Sequence, residues 1–144
     1  MRWPVLTSCF PIFIRSFSPL ARNLLATKVE TTPNDWRASN PRYSQENLDA
    51  NQKILDKVHE LGAKYDCSAA QLSLAWLFHK ANELGVSVIP IPGTTKLRNV
   101  TSNIGSVKIN IADEDCIVLE SLADQVAGER GNEAYMSMGI EIQK

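Results

Sequence analysis

The stretch Gly93-Thr94-Thr95-Lys96 has the composition in this sequence best suited to binding an anion. Glycine lets the backbone approach a ligand closely, and two hydroxyls followed by a lysine can hold a phosphate at the start of a helix. Asn99 and Asn103 lie four residues apart on the helix predicted to follow, so their amides share one face. The plain alternative for the tetrapeptide is an ordinary capped turn.

Other kinds of chemical site find little support in the residue pattern. Cys9, Cys67 and Cys116 are odd in number and widely spaced. This favours reduced thiols in a cytoplasmic protein over a disulfide framework or a zinc site. A Gly-rich phosphate loop of the Rossmann or Walker type is absent, as is a defensible Ser/His/Asp arrangement. His59 and His79 are expected on helix surfaces or edges.

The overall composition is that of a globular protein and limits the partners to expect. The 144 residues are 44% hydrophobic and 22% charged, and the formal net charge is −1. A near-neutral chain gives no electrostatic argument for a nucleic-acid partner. No apolar run reaches the roughly 18 residues that a membrane-spanning helix needs. The predicted helix pair near Asp66-Cys67 suggests a helix-turn-helix, but its second helix is too apolar to contact a DNA groove.

The hydrophobic pattern predicts the elements that position these residues. Apolar runs predict strands over Ile12–Phe17 and Val86–Ile91, the second of the fully buried, parallel kind. Helical spacing predicts a helix over Asn47–Tyr65 and a second one that opens with a capping box at Ser68 and ends near Gly85. This second helix is apolar nearly all round and should be packed on most sides. The remaining predictions are a helical turn over Leu20–Leu25, a polar loop over 30–46, helices over Leu97–Ile104 and Ala112–Ala123, and a tail with little pattern over Gly128–Lys144.

This order of elements indicates an α/β fold, and the small number of strands indicates that it is part of a larger one. Two parallel strands leave two open edges and cannot close a barrel.

The N-terminal segment is compatible with more than one interpretation. Residues 1–29 carry four basic residues and no acidic one, which resembles an organelle transit peptide. The apolar run Trp3–Ile14 resembles a secretory segment, although Pro4 and Pro11 interrupt it. We favour an irregular start followed by a buried strand.

Three stretches of the chain resemble the aldo-keto reductase family. They are Phe17-Ser18-Pro19-Leu20-Ala21-Arg22; Trp36 to Tyr43 with Glu46-Asn47-Leu48; and Ala70 to Leu77 followed by Val88 to Lys96 and Asn103-Ile104-Gly105. Their order and spacing are similar to the C-terminal part of the family, and most similar to the branch with plant and fungal reductases of small carbonyl compounds. The corresponding domain spans residues 12–130, whereas residues 1–11 match nothing and 131–144 form a tail.

The resemblance implies a partial (β/α)8 barrel in which Ile12–Phe17 is strand seven and Val86–Ile91 is strand eight. Ligands of such barrels lie at the C-terminal ends of the strands. Both proline-rich strand exits would therefore lie side by side and face one groove for NADP(H). The implied activity is reduction of aldehydes and ketones to alcohols.

The resemblance also assigns roles to residues after the first strand. Phe17 stands where the family places an aromatic side chain, usually Tyr, against the nicotinamide. Ser18, Leu20 and Arg22 would run along the pyrophosphate, where backbone amides and a guanidinium suit phosphate oxygens. Ala21 replaces a glycine that is common in the family.

The second exit would hold the other end of the cofactor. Gly93, Thr94, Thr95 and Lys96 correspond to residues around the 2′-phosphate, and Lys96 and Arg98 are the cations expected to favour NADP over NAD. Asn103 would contact the adenine, and Asn99 the 2′-phosphate or ribose. Ser102 replaces an acidic residue usual in the family.

The catalytic residues of the family have no counterpart here. Its Asp, Tyr, Lys and His tetrad lies on earlier strands, so no catalytic residue is assigned and the chain is expected to be inactive alone. The alternative is a non-catalytic interaction or dimerisation module, whose apolar helix Ser68–Lys80 and open strand edges would be exposed.

Overall fold

Two parallel strands, β1 (Phe13–Phe17) and β2 (Ser87–Ile91), form the sheet in this computed structural model, which describes residues 12–32 and 34–137. Phe13 lies opposite Ser87 and Phe17 opposite Ile91. Both strands therefore end at the same edge of the sheet. Each begins one residue later than the sequence predicts and ends where predicted, and the mixed α/β architecture is confirmed. Residues 1–11, which include most of the run from Trp3, lie outside the described residues.

Helices make the crossover between the strands and cover one side of the sheet. Their bounds are α1 (Gln45–Lys64), α2 (Ala69–Glu83), α3 (Leu97–Gly105), α4 (Asp113–Ala123) and α5 (Glu133–Ser137). Each of the first four confirms a predicted helix. The short α5 lies in the tail, where the sequence pattern predicted no element.

Local capping explains where α1 and α2 begin. The Ser44 hydroxyl oxygen accepts a bond from the Asn47 backbone N–H at 3.3 Å. At α2 the predicted capping box is confirmed: Ser68 Oγ accepts from Gln71 N at 3.2 Å, and Gln71 Oε1 accepts from Ser68 N at 3.1 Å. Gly85 follows the end of α2 with a φ of 65°, a left-handed conformation that glycine adopts without steric cost.

The core lies where α2 packs against α1 and α4. Leu72 and Ala69 of α2 are completely buried, and Ile54, Val58 and Cys116 surround them. The α2 helix also contacts β2 and α3. Its predicted packing on most sides is therefore confirmed, and the expectation that this helix would be an exposed docking surface is wrong.

The prediction of a fully buried second strand is also wrong. Ile89 and Ile91 are 48% and 49% exposed, and Phe13 and Phe17 on β1 are still more exposed. In-register pairing and strand alternation place these four side chains on one face of the sheet. On the opposite face α2 packs against β2, whereas Ile14 of β1 is 43% exposed. No element among the described residues covers the face with the four side chains.

A buried carboxylate ties α4 to the end of α1. Asp115 is 8% exposed and accepts hydrogen bonds from the Lys64 ammonium at 2.7 Å and from the Tyr65 hydroxyl. The Tyr65 oxygen in turn accepts from the Ala112 backbone N–H at 2.9 Å. Lys64 first, and then Tyr65, lower the pKa of Asp115 below its ordinary value of 3.8.

We expect Asp115→Asn to destabilise the chain in a pH-dependent way. A carboxyl with a depressed pKa in the folded state contributes stability above pH 3.8, and this contribution is lost as the pH falls through the folded-state pKa. The difference in urea midpoint between wild type and variant should therefore be largest near neutral pH and should decrease below pH 3.8. Glu114→Gln, which removes the same charge from the same helix turn, is the control. A difference that stays constant down to pH 2 would contradict the assignment.

Candidate functional site

A groove of about 310 Å³ opens where both strands end. Ser18 and Pro19 follow β1, Pro92 and Gly93 follow β2, and all four line it. The parallel register is the reason, because Phe17 pairs with Ile91 and the two exits must leave the sheet side by side. Of the residues predicted for a cofactor site, seven line this groove: Ser18, Leu20, Arg22, Gly93, Thr94, Asn99 and Asn103.

The β1 exit is a tight loop with unusual backbone geometry. Ser18, Ala21, Arg22 and Asn23 all have positive φ, at 51°, 47°, 54° and 83°. Residues other than glycine rarely adopt this conformation, so the surrounding structure must hold it. The backbone N–H groups of Ala21 and Asn23 donate to Ser18 and Leu20 carbonyls, and that of Arg22 donates to Ser18 Oγ at 3.3 Å. These three amides are used inside the loop and are not available to an anion.

The guanidinium of Arg22 connects the groove to the C-terminal tail. It lies 5.2 Å from the ring centroid of Trp36 and 5.6 Å from that of Tyr135, within cation–π range. Its Nη1 donates to the Arg130 carbonyl at 3.1 Å. Arg22 is therefore held in place by an aromatic pair, and the sequence prediction of a phosphate contact did not anticipate these partners.

The β2 exit presents hydroxyl and amide groups. Thr94 Oγ1 accepts from Lys96 N at 3.2 Å and from Asn99 Nδ2 at 3.1 Å. The hydroxyl therefore orients the Asn99 side chain and remains able to donate its own proton. Gln71 Nε2 donates to the Ser102 carbonyl at 3.0 Å, which ties α3 to the start of α2.

Three predicted site residues do not line the groove: Phe17, Thr95 and Lys96. Phe17 is 65% exposed, and the Arg130 guanidinium lies 5.7 Å from its ring centroid. Lys96 caps α3 and is exposed, like its neighbour Arg98. The structure thus places the cations near the groove but outside its lining.

The groove also contains residues that sequence reasoning missed. Asn23 and Thr27 lie on the β1 exit loop, and Ser68 and Ala70 come from the start of α2. The Ser68 pattern signalled a helix start, but no sequence pattern indicated that this helix start faces both strand exits. Sequence reasoning also missed Arg130 and Tyr135 in the tail, because only their spatial contacts connect them with Phe17 and Arg22.

A hydrogen bond from the buried side chain of Tyr43 stabilises the β1 exit loop. Its hydroxyl donates to the Ala21 carbonyl at 2.7 Å, the side chain is 3% exposed, and burial raises the pKa of the Tyr43 hydroxyl.

We expect Tyr43→Phe to lower the free energy of unfolding by about 1 kcal/mol, the typical net value of one hydrogen bond whose acceptor loses its partner. Urea denaturation measures this. Tyr135→Phe, whose hydroxyl makes no hydrogen bond with the described residues, should change stability little, and equal effects would contradict this role.

The lining of the groove suits an anionic, hydrogen-bonding ligand. It contains hydroxyls, three asparagine amides and Arg22, and no carboxylate. A guanidinium and hydroxyl donors are groups that bind phosphate oxygens. A metal centre finds no support, because the described part of the chain has no group of three or more His, Cys, Asp or Glu residues able to hold an ion. No helix within it is long and apolar enough to cross a bilayer.

Comparison with models of known protein families identifies a relationship for most of the chain. The model of the Aldo/keto reductase family matches residues 12–124, which include both strands, the groove and the helices α1 to α4.

Proposed function

Because the chain belongs to the aldo/keto reductase family, we propose that it forms the C-terminal, cofactor-binding portion of an NADP(H)-dependent reductase of aldehydes and ketones. Within this proposal β1 and β2 are strands seven and eight of a (β/α)8 barrel, and the branch is that of the plant and fungal enzymes. The observation that carries it is the shared groove: two proline-rich strand exits meet at a polar lining that includes Arg22 and no carboxylate.

The residues of the groove fit the phosphate and nucleoside parts of such a cofactor. Arg22 and the donor groups of Ser18 and Thr94 suit phosphate oxygens. Asn99 and Asn103 offer both donors and acceptors, which suits a ribose and an adenine. When bound, NADP(H) supplies the hydride for carbonyl reduction.

Two features of the site distinguish the phosphorylated from the unphosphorylated dinucleotide. Lys96 and Arg98 are exposed cations beside the start of α3, and Gly93 leaves open space where a side chain would stand. A 2′-phosphate near this helix start would gain from both charges and from the helix dipole. Phe17 supplies a flat aromatic ring on which the nicotinamide can stack. The Arg130 guanidinium already lies over this ring, so nicotinamide binding would require it to move away or to contact the other face of the ring.

The chain contributes binding groups and no proton donor to the reaction. No stretch matches the Asp, Tyr, Lys and His tetrad, so proton transfer to the carbonyl has no assigned residue here. We therefore expect no turnover of an aromatic aldehyde by the purified 144-residue chain.

Cofactor binding by this chain can be tested directly by NMR titration. We expect weak binding of NADPH, with shifts at Ser18, Gly93 and Asn103, and about tenfold weaker binding of NADH, because one charge-assisted contact is worth about 1.4 kcal/mol. The double variant Lys96→Ala and Arg98→Ala should lose this preference. Lys108→Ala, which removes an exposed cation beyond α3, is the control. Equal binding of both dinucleotides, or aldehyde reduction by the chain alone, would contradict the proposal.

A second candidate function is a non-catalytic interaction or dimerisation module. The observation that favours it is the uncovered sheet face with Phe13, Phe17, Ile89 and Ile91. Ile91 also lines a pocket together with the exposed apolar residues Val100 and Ile104 of α3. Exposed patches of this kind mark association surfaces. Sedimentation velocity on the titration samples separates the two candidates: a dimer that forms without NADPH and excludes it favours the module, and a dilution-independent monomer that binds NADPH favours the reductase portion.

A further inference from the structure

The side chain of Gln71 joins two walls of the groove that lie far apart in the sequence. Its Oε1 accepts hydrogen bonds from the Ser68 backbone N–H and hydroxyl, both at 3.1 Å, and its Nε2 donates to the Ser102 carbonyl at 3.0 Å. Ser68 belongs to the wall at the start of α2, and Ser102 belongs to the wall formed by α3. One side-chain amide therefore connects these walls, and its bond to Ser102 spans 31 positions of the sequence.

The neighbours of this amide determine which way it points. At Ser68 it meets a backbone N–H, which only donates, and at Ser102 it meets a carbonyl oxygen, which only accepts. A flipped amide would place two donors against each other at Ser68 and two acceptors at Ser102. Gly105 leaves the space for the amide, because a Cβ at Gly105 would lie 3.1 Å from Gln71 Nε2. The donor end of the Gln71 amide therefore faces α3.

The α3 helix has few other contacts that could fix its position. Within Leu97–Gly105, all of which the structure describes, no residue is buried, and helices with little buried surface open easily. Asn99 and Asn103, two of the amides that line the groove, both belong to this helix. Because Ser102 shares a peptide unit with Asn103, the bond from Gln71 holds the backbone beside one of these amides.

We propose that Gln71 is a positioning residue for the adenosine end of the dinucleotide, an inference that rests on the function proposed for the groove. Gln71 is not among the described residues that line the groove, so it acts through α3. Its bond to Ser102 holds Asn99 and Asn103 at a fixed distance from the start of α2. Without this bond the ligand must order α3 when it binds, and that ordering lowers the affinity.

Two variants with different side effects isolate the bond to Ser102. Gln71→Glu keeps an acceptor for the Ser68 N–H but replaces the donor by a charged oxygen, whereas Gln71→Met removes both bonds and adds no charge. An effect that the two variants share is therefore due to the lost bond to Ser102. Gln125→Glu is the matched control, because Gln125 Nε2 also donates to a backbone carbonyl, that of Ser121, at 3.0 Å and lies outside the groove lining.

Hydrogen exchange in the ligand-free chain measures how firmly α3 is held. We expect the backbone amides of residues 101–105 to exchange about fivefold faster in both Gln71 variants, the factor that one neutral hydrogen bond gives. The amides of α1 should keep their rates, and Gln125→Glu should change neither helix. Circular dichroism checks that each variant folds. Unchanged exchange of α3 in both Gln71 variants would overturn the proposal.

Binding of the two halves of NADP tests the consequence for the groove. Adenosine 2′,5′-bisphosphate should bind both Gln71 variants about fivefold more weakly than wild type, and nicotinamide mononucleotide should bind all chains alike. Unchanged affinity for the first probe, or equal losses for both probes, would overturn the proposal, since equal losses indicate a general loss of structure. A wild-type chain that binds neither probe contradicts the proposed function, whereas the exchange rates still decide whether Gln71 holds α3.

Discussion

Replacing Leu72 by alanine should lower the free energy of unfolding by about 3 to 5 kcal/mol. Leu72 is completely buried at the centre of the α1–α2–α4 core, where Ile54, Val58 and Cys116 also lie. The loss combines the transfer free energy of the removed methyl groups with the cost of the cavity left behind. Since typical domains have about 5 to 15 kcal/mol of stability, this one change should unfold a large fraction of the chain at moderate urea concentrations.

Leu97→Ala is the matched control for this substitution. Leu97 is also a helical leucine, but it is 80% exposed at the start of α3. We expect a change below about 0.5 kcal/mol there, as for most surface substitutions. Urea denaturation followed by circular dichroism measures both. Similar losses in the two variants would contradict the burial of Leu72 in this core.

Gly62→Ala is the second change for which we expect a large loss of stability. A Cβ at Gly62 would lie 2.7 Å from the carbonyl oxygen of Cys67, which belongs to the backbone between α1 and α2. Alanine would gain about 1 kcal/mol from helix propensity. The clash outweighs this gain, because the contact is with backbone that two helices hold in place and overpacking of this kind costs about 1 to 3 kcal/mol or more. We expect a net loss of up to about 2 kcal/mol in urea denaturation.

The control for Gly62 is another glycine of the same chain. At Gly93 an added Cβ meets no atom within 4 Å. Gly93→Ala should therefore leave the unfolding free energy within about 0.5 kcal/mol of wild type. If Gly62→Ala proved stabilising, the close approach of the α1–α2 connection to α1 would be wrong.

The sequence was sufficient to predict β1, β2 and the helices α1 to α4 because their signals are local. The helical spacing of Ile54, Leu55 and Val58 located α1, and the Ser68 capping box located the start of α2 within one residue. The two apolar runs located both strands, and their proline-rich ends located the exits. Each of these signals arises from backbone geometry over a few residues.

Burial was predicted less well, because it depends on what covers a surface. The apolar run of β2 is typical of a strand covered on both faces, yet Ile89 and Ile91 remain exposed on the face opposite to α2. For α2 the apolar pattern correctly predicted packing on most sides, and only the alternative of an exposed docking helix was wrong. Burial of an apolar side chain is favourable, but whether the side chain is buried depends on which elements pack against it.

The sequence by itself determined both strands, the helices α1 to α4 and the residues at the strand exits, and the family resemblance predicted that these exits share one groove. Only the tertiary structure decided that Phe17 and Lys96 do not line the groove, and that Arg130 and Tyr135 in the tail reach Phe17 and Arg22. The physical reason is sequence separation. Arg130 follows Phe17 by 113 positions, and its contact depends on the path of every element between them, which no local pattern encodes.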